Sequence, residues 1–129
     1  MQSKPEHLYE YAVVRFVPRV EREEFLNVGL IMMCKRRRWI KFEYLINPQR
    51  FGAFDGPITI EEVEKHLQAF LNVARGDKST YELGGLPVEE RFRWLTAVRS
   101  SCIQTSRPHP GLTQDLDLTF SRLFDELVK

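Results

Sequence analysis

The nine residues 9–17, YEYAVVRFV, restrict the folding of this chain more than any other stretch. Aromatic and β-branched side chains dominate them, and such residues favour the pleated, half-buried surface of a strand. In extended chain Tyr9, Tyr11, Val13, Arg15 and Val17 share one face, while Glu10, Ala12, Val14 and Phe16 share the other. Both faces are therefore largely apolar, which places the strand near the middle of a sheet and makes Arg15 an anomaly within it. Pro18 ends it, because proline cannot donate to a central ladder.

Two further strands follow. Residues 28–34, VGLIMMC, and 39–46, WIKFEYLI, are apolar segments joined by Lys35, Arg36, Arg37 and Arg38, the pattern of a hairpin with a basic tip. Between the first and second strands, residues 19–27 hold five charged side chains and form a short helix or an ordered loop. Asn27 and Gly29, at the entrance to the second strand, imply a turn or bulge of tight geometry.

Helices dominate the remainder. Asn47 and Pro48 close the third strand, and residues 49–55 form one helical turn. Thr59 caps a helix with Glu62 three residues on, its apolar members Ile60, Val63, Leu67, Phe70, Leu71 and Ala74 recur at helical spacing, and Gly76 stops it. Pro87 opens another, with Glu89 and Glu90 at the positive end of its dipole and Phe92, Leu95 and Val98 as its buried stripe. Asp115 caps the last, whose apolar face is Leu116, Phe120, Leu123, Phe124 and Leu127. Residues 102–106, CIQTS, are a candidate fourth strand between helices. Strands first and helices after predict an α+β fold, an antiparallel sheet of three to five strands packed with about three helices. It forms a single domain over residues 1–129, with a flexible start over about residues 1–7.

Composition narrows the function classes. A chain of 129 residues is the size of one domain, and 43% hydrophobic with 29% charged residues is ordinary for a globular one. The longest apolar run is far short of the roughly 20 residues that cross a bilayer, and the polar start MQSKPEH has no secretion signal, so a cytoplasmic protein is expected. Cys34 and Cys102 cannot build a disulfide framework, neither has a metal-ligand neighbour at the usual spacing, and no cofactor signature is present. Residues 1–50 carry ten Lys or Arg against six Asp or Glu; residues 51–129 carry nine against twelve. Part of the first excess is the run Lys35 to Arg38, which can contact phosphates, although a solvated turn explains it more simply.

One stretch gathers polar chemistry. In RSSCIQTSRPHPGL, residues 99–112, Arg99, Ser100, Ser101, Gln104, Thr105, Ser106 and His109 offer donors of several kinds, and Arg99 could grip an anion in bidentate fashion. No glycine lies between Arg99 and His109, which counts against a phosphate loop. Pro108 and Pro110 hold His109, which suits a general base, and Cys102 stands seven residues earlier as a nucleophile. Nothing supplies a third group to orient the histidine.

The first block, with Arg15, Pro18, Arg19, Glu23, Phe25, Asn27, Val28 and Gly29, and the second, with Arg91, Phe92, Trp94, Leu95, Arg99, Ser100, Ile103, Gln104, Ser106 and Gly111, together resemble the bacterial domain of unknown function 3037 family. The resemblance implies small stand-alone bacterial proteins, some encoded beside a kinase-like protein similar to the HipA toxins, and hence an accessory or antitoxin-like partner in a two-component assembly. It also brings the two blocks into one polar cleft of Arg15, Arg19, Asn27, Arg99, Ser100 and Gln104, beside His109. Such a cleft needs Glu23 or Glu90, water or an outside anion to neutralise its arginines.

Two readings follow. The favoured one is a non-catalytic module that binds a larger protein through exposed aromatics such as Trp39, Trp94 or Phe51, since no nucleophile, base or metal is assembled. The alternative is a phosphate-directed enzyme or nucleic-acid binder centred on Arg99 and His109. It predicts that Arg99→Ala leaves the circular dichroism spectrum and melting temperature intact while abolishing anion or nucleotide binding. An unfolded variant would instead make Arg99 a structural tie.

Overall fold

The structure is a computed structural model that describes residues 5–54, 56–80, 82–97 and 101–129. Val98, Arg99 and Ser100 lie outside the described residues, as do Asp55 and Tyr81. Among the described residues five strands and four helices follow one another: β1 (His7–Phe16), β2 (Leu26–Cys34), β3 (Trp39–Tyr44), α1 (Pro48–Gly52), α2 (Ile60–Arg75), α3 (Val88–Leu95), β4 (Ile103–Thr105), β5 (His109–Thr113) and α4 (Leu116–Leu127). The short helix or ordered loop expected before β2 is a single 3-10 turn at Val20–Arg22 followed by loop. The fold is α+β, as the strand-then-helix order predicts.

The sheet is antiparallel, ordered β3-β2-β1, with β4 and β5 both on the far edge of β1. Its first strand reaches further toward the N-terminus than the sequence implies, because His7 pairs with Thr113. β4 confirms the strand proposed within residues 102–106, but β5 lies in a segment read as connection. Its composition, His-Pro-Gly-Leu-Thr, argues against a strand. Edge placement makes it possible. Val17 N–H donates to the Cys102 carbonyl and Ser106 N–H to the Val13 carbonyl, so alternate residues of β1 from Val17 back turn their backbone groups toward β4 and β5. Opposite them stand His109 and Gly111, leaving Pro110 pointed outward, where its missing N–H breaks no ladder bond.

Between β4 and β5 the facing chain gains a residue. From the pair Val14–Thr105 to the pair Tyr11–His109, β1 advances three residues and its neighbour four. Ser106 closes the gap this bulge opens: its buried hydroxyl accepts the Val13 N–H at 2.9 Å, and its own N–H donates to the Val13 carbonyl at 2.8 Å. A second bulge lies in β2, where Val14 faces Gly29 and Arg15 faces Asn27, so that Val28 has no partner of its own. The alternation of β2 shifts there by one residue. Leu26 and Val28, then Ile31 and Met33, enter one layer, while Leu30, Met32 and Cys34 enter the other.

Both faces of the sheet are consequently covered. α2 and α3 pack one face through Val63, Leu67, Phe70, Val88, Phe92 and Leu95. α4 packs the other through Leu116, Phe120, Leu123 and Phe124. Each such side chain, once fully buried, contributes about 1.5–3 kcal/mol. The ends of α2 and α4 follow the expected signals: Thr59 Oγ1 accepts Glu62 N–H, Gly76 adopts φ 73° at the end of α2, and Asp115 accepts Leu118 N–H. Asn47, read only as closing the third strand, also caps α1, which begins at Pro48 and ends at Gly52.

Gly29 sits where the bulge brings β2 against β3. A Cβ there would lie 2.8 Å from Phe42 Cε1 and 2.9 Å from the Glu43 carbonyl oxygen, and the latter is backbone that cannot turn aside. Gly29→Ala is expected to lower unfolding free energy by about 1–3 kcal/mol in urea titrations. Gly85→Ala, at a position with nothing within 4 Å of the new atom, should stay within about 0.5 kcal/mol of the parent.

Candidate functional site

Three of the seven residues assigned to a polar cleft come together across the sheet. Arg15 faces Asn27 on β2 and Gln104 on β4, so the three form one row over adjacent strands on the α4 face. The Asn27 amide donates to the Leu127 carbonyl at 3.0 Å, which fixes this row at the C-terminal end of α4. Gln104 Nε2 donates to the Ser101 carbonyl at 3.1 Å. The Arg15 guanidinium lies 4.1 Å above the exposed ring of Phe25, an arrangement that holds the charge by its attraction to the ring face. Arg15 Nε and Asn27 Oδ1 are buried without a hydrogen-bond partner among the described residues.

The carboxylates expected to neutralise this arginine stand elsewhere. Glu23 is exposed in the loop before β2 with φ 56°, and Glu90 is exposed on α3, across the sheet from the row. Neither pairs with Arg15.

The remaining assigned residues are dispersed or undescribed. Arg19 is exposed and lines a small recess with Pro18, Glu24 and Phe54. His109 is exposed and stands opposite Tyr11, ring centroids 5.3 Å apart, four residues along β1 from Arg15 or about 13 Å away. Arg99 and Ser100 fall outside the described residues.

The Cys102–His109 dyad fails on distance. Cys102 bonds to Val17 and His109 pairs with Tyr11, six residues apart on β1, or about 20 Å, whereas proton transfer needs hydrogen-bond contact. Burial also pushes the Cys102 thiol above its ordinary 9.0. Among the described residues no group of three His, Cys, Asp or Glu side chains could hold a metal ion, and no helix is long and apolar enough to cross a membrane. Lys35 to Arg38 are all exposed in a tight turn, where Arg38 N–H donates to the Lys35 carbonyl and Arg38 adopts φ 50°.

Of the aromatics expected to be exposed, two are spent inside the fold. Phe51 stacks on Phe16 at 5.0 Å, and Trp39 is half-buried against the α4 layer. Trp94 is exposed, beside a recess of about 180 Å³ that it lines with His66, Phe70 and Ile103.

A larger concavity lies where sequence reasoning placed nothing. α3 has only eight residues and packs on β2 and β3, so among the described residues no helix lies over one face of the β1–β5 end of the sheet. The resulting cleft is about 400 Å³. Met33 and Phe92 contribute its apolar lining, and Glu10, Lys35, Glu89 and Arg93 its charged groups, which form no ion pairs with one another. Leu8 and Leu112 face each other across β1 and β5 on the same side as Glu10, and they remain 63% and 61% exposed. No local pattern announces this pair, because its members are brought together only by the long-range pairing of β5.

The architecture is thus that of an α+β domain whose antiparallel sheet is sandwiched between α2 and α3 on one side and α4 on the other. The sequence profile described as "Protein of unknown function (DUF3037)" matches residues 11–128, nearly the whole chain, and the chain belongs to that family. No curated protein and no solved structure matches it.

The thiols give a direct check on the chemistry. At pH 7 under native conditions, a thiolate-selective reagent should label Cys102 more slowly than free cysteine and leave Cys34 untouched. The Cys102 rate should still be climbing above pH 9, because its folded pKa is raised, and Cys34 should react only as urea unfolds the chain.

Proposed function

We propose that this chain is a non-catalytic protein-binding module of the bacterial cytoplasm, accessory to a larger, kinase-like partner in a two-component, toxin–antitoxin-like assembly. The single observation that carries the binding role is the exposed Leu8–Leu112 pair beside the cleft between α3 and the sheet. Exposed apolar side chains set side by side and rimmed by polar groups are characteristic of interaction surfaces. The cleft carries both signs, Glu10 and Glu89 with Lys35 and Arg93, so a complementary segment would place an apolar anchor on the leucines and charges of both signs around it. The kinase-like identity of the partner is supported by the family resemblance alone.

A phosphate-directed role has narrower support, namely the Arg15 guanidinium held over Phe25 with no hydrogen-bond partner for its Nε among the described residues. His109 stands too far along the sheet to act beside it.

The test mixes the purified chain with a kinase-like protein from the same genome, of the kind that the family resemblance implies. Light scattering on the eluted mixture should show a complex for the parent and for Leu118→Glu, an exposed control on α4. Leu8→Glu/Leu112→Glu, folded by circular dichroism, should bind at least tenfold more weakly. Undiminished binding by the double variant would move the interface elsewhere, and failure of the parent to bind would remove this partner.

A further inference from the structure

The two edges of the sheet are treated differently. The β4–β5 edge carries Pro108, Pro110 and the bulge at Ser106, all of which blunt it against another strand. The β3 edge carries none of these. Leu45 N–H donates to the Val28 carbonyl at 2.7 Å, so by the alternation of an antiparallel ladder Trp39, Lys41 and Glu43 also turn their backbone groups toward β2. Ile40, Phe42 and Tyr44 therefore turn theirs outward. A concavity of about 350 Å³ opens along this edge between the layers, lined by Tyr44, Leu45, Leu71, Arg75, Phe124 and Lys129. Leu45 is 46% exposed beside it.

From the order of side chains along this edge we infer that β3 pairs with β3 of a second copy of the chain, antiparallel about a twofold axis through Phe42, joining two sheets into one. Outward backbone groups must meet outward ones, so a pairing slipped by one residue forms no ladder. Three central registers keep that parity. Centring on Lys41 sets Lys41 against its own copy, and centring on Glu43 sets glutamate against glutamate. Both place like charges directly opposite, which destabilises a strand pair.

Centring on Phe42 matches every position. Lys41 faces Glu43 of the other copy twice over, in the close, non-hydrogen-bonded pairs of the ladder. Trp39 faces Leu45, Ile40 faces Tyr44, and Phe42 faces Phe42, each an apolar match across the junction. Within one chain Lys41 already touches Asp117 at 3.2 Å, while Glu43 has only a 3.9 Å approach to Lys41. The second copy gives Glu43 its direct partner. The axis runs perpendicular to the sheet, so each α4 continues the layer of the other. Both Leu8–Leu112 clefts, beyond the opposite edge of β1, stay open, and this pairing does not rest on the function proposed for them.

Light scattering on the full chain decides the matter. At 100 µM the parent should have twice the 15.2 kDa chain mass. Glu43→Lys, at an exposed position, should weaken the dimer at least tenfold by opposing lysine to lysine. Lys41→Glu/Glu43→Lys, which restores opposite charges, should recover the dimer. Ile40→Pro removes an outward N–H without breaking a bond to β2, and should give folded monomer by circular dichroism. A monomeric parent overturns the inference. So does a dimer that survives both Glu43→Lys and Ile40→Pro with the fold intact.

Discussion

The structure depends on β1 being satisfied in four directions at once. One edge takes β2, the other takes β4 and β5, one face is covered by α2 and α3, and the other by α4. Its ten residues hold Ala12, Val14 and Phe16 in one layer and Tyr9 in the other. A strand so placed can leave no backbone group unpaired, since a buried N–H without an acceptor costs about 1–3 kcal/mol. The Ser106 hydroxyl meets that demand at Val13, where the bulge would otherwise leave an orphan. One side-chain oxygen thereby keeps two short strands aligned as a single interrupted edge, and through them brings the C-terminal helix back onto the sheet.

Much of this was legible in the residues, because the signals were local. The two apolar faces of residues 9–17 specified a central strand, the hairpin followed from two apolar runs around a basic turn, and three helices announced their starts at Thr59, Pro87 and Asp115. Asn27 and Gly29 marked a bulge whose consequence, the switch of faces between Val28 and Ile31, emerges only when β1 is laid beside them. β5 was hidden for the converse reason. Two prolines and a glycine in six residues read as a loop, yet an edge strand tolerates proline where the ladder does not pass, and Gly111 is needed because the Tyr9 ring lies across it. Tertiary pairing overrode propensity there.

The site was less legible, since its members are joined by register and not by sequence. Arg15, Asn27 and Gln104 form a row because two bulges place them opposite one another, and a count along the chain gives no access to that. The separation of Cys102 from His109 is equally a matter of register: seven residues apart in sequence, they flank β1 at positions six residues apart because the chain is extended between them.

What β1 demands of its neighbours also locates the open surfaces. Covering both faces of a twisted sheet along its full length takes more helix than α3 supplies, so one end of β1 and β5 is left bare, with Leu8 and Leu112 upon it. Proline and an edge bulge guard the β4–β5 side, whereas β3 carries only Lys41 and Glu43 to guard it. Coverage therefore runs out in two places, a face at one end of the sheet and an edge at the other. An exposed leucine pair costs solubility without aiding the core, and an unblunted edge invites association. Sheet geometry explains why these places are available. It does not by itself require that an apolar pair should occupy the one and an alternating charge order the other.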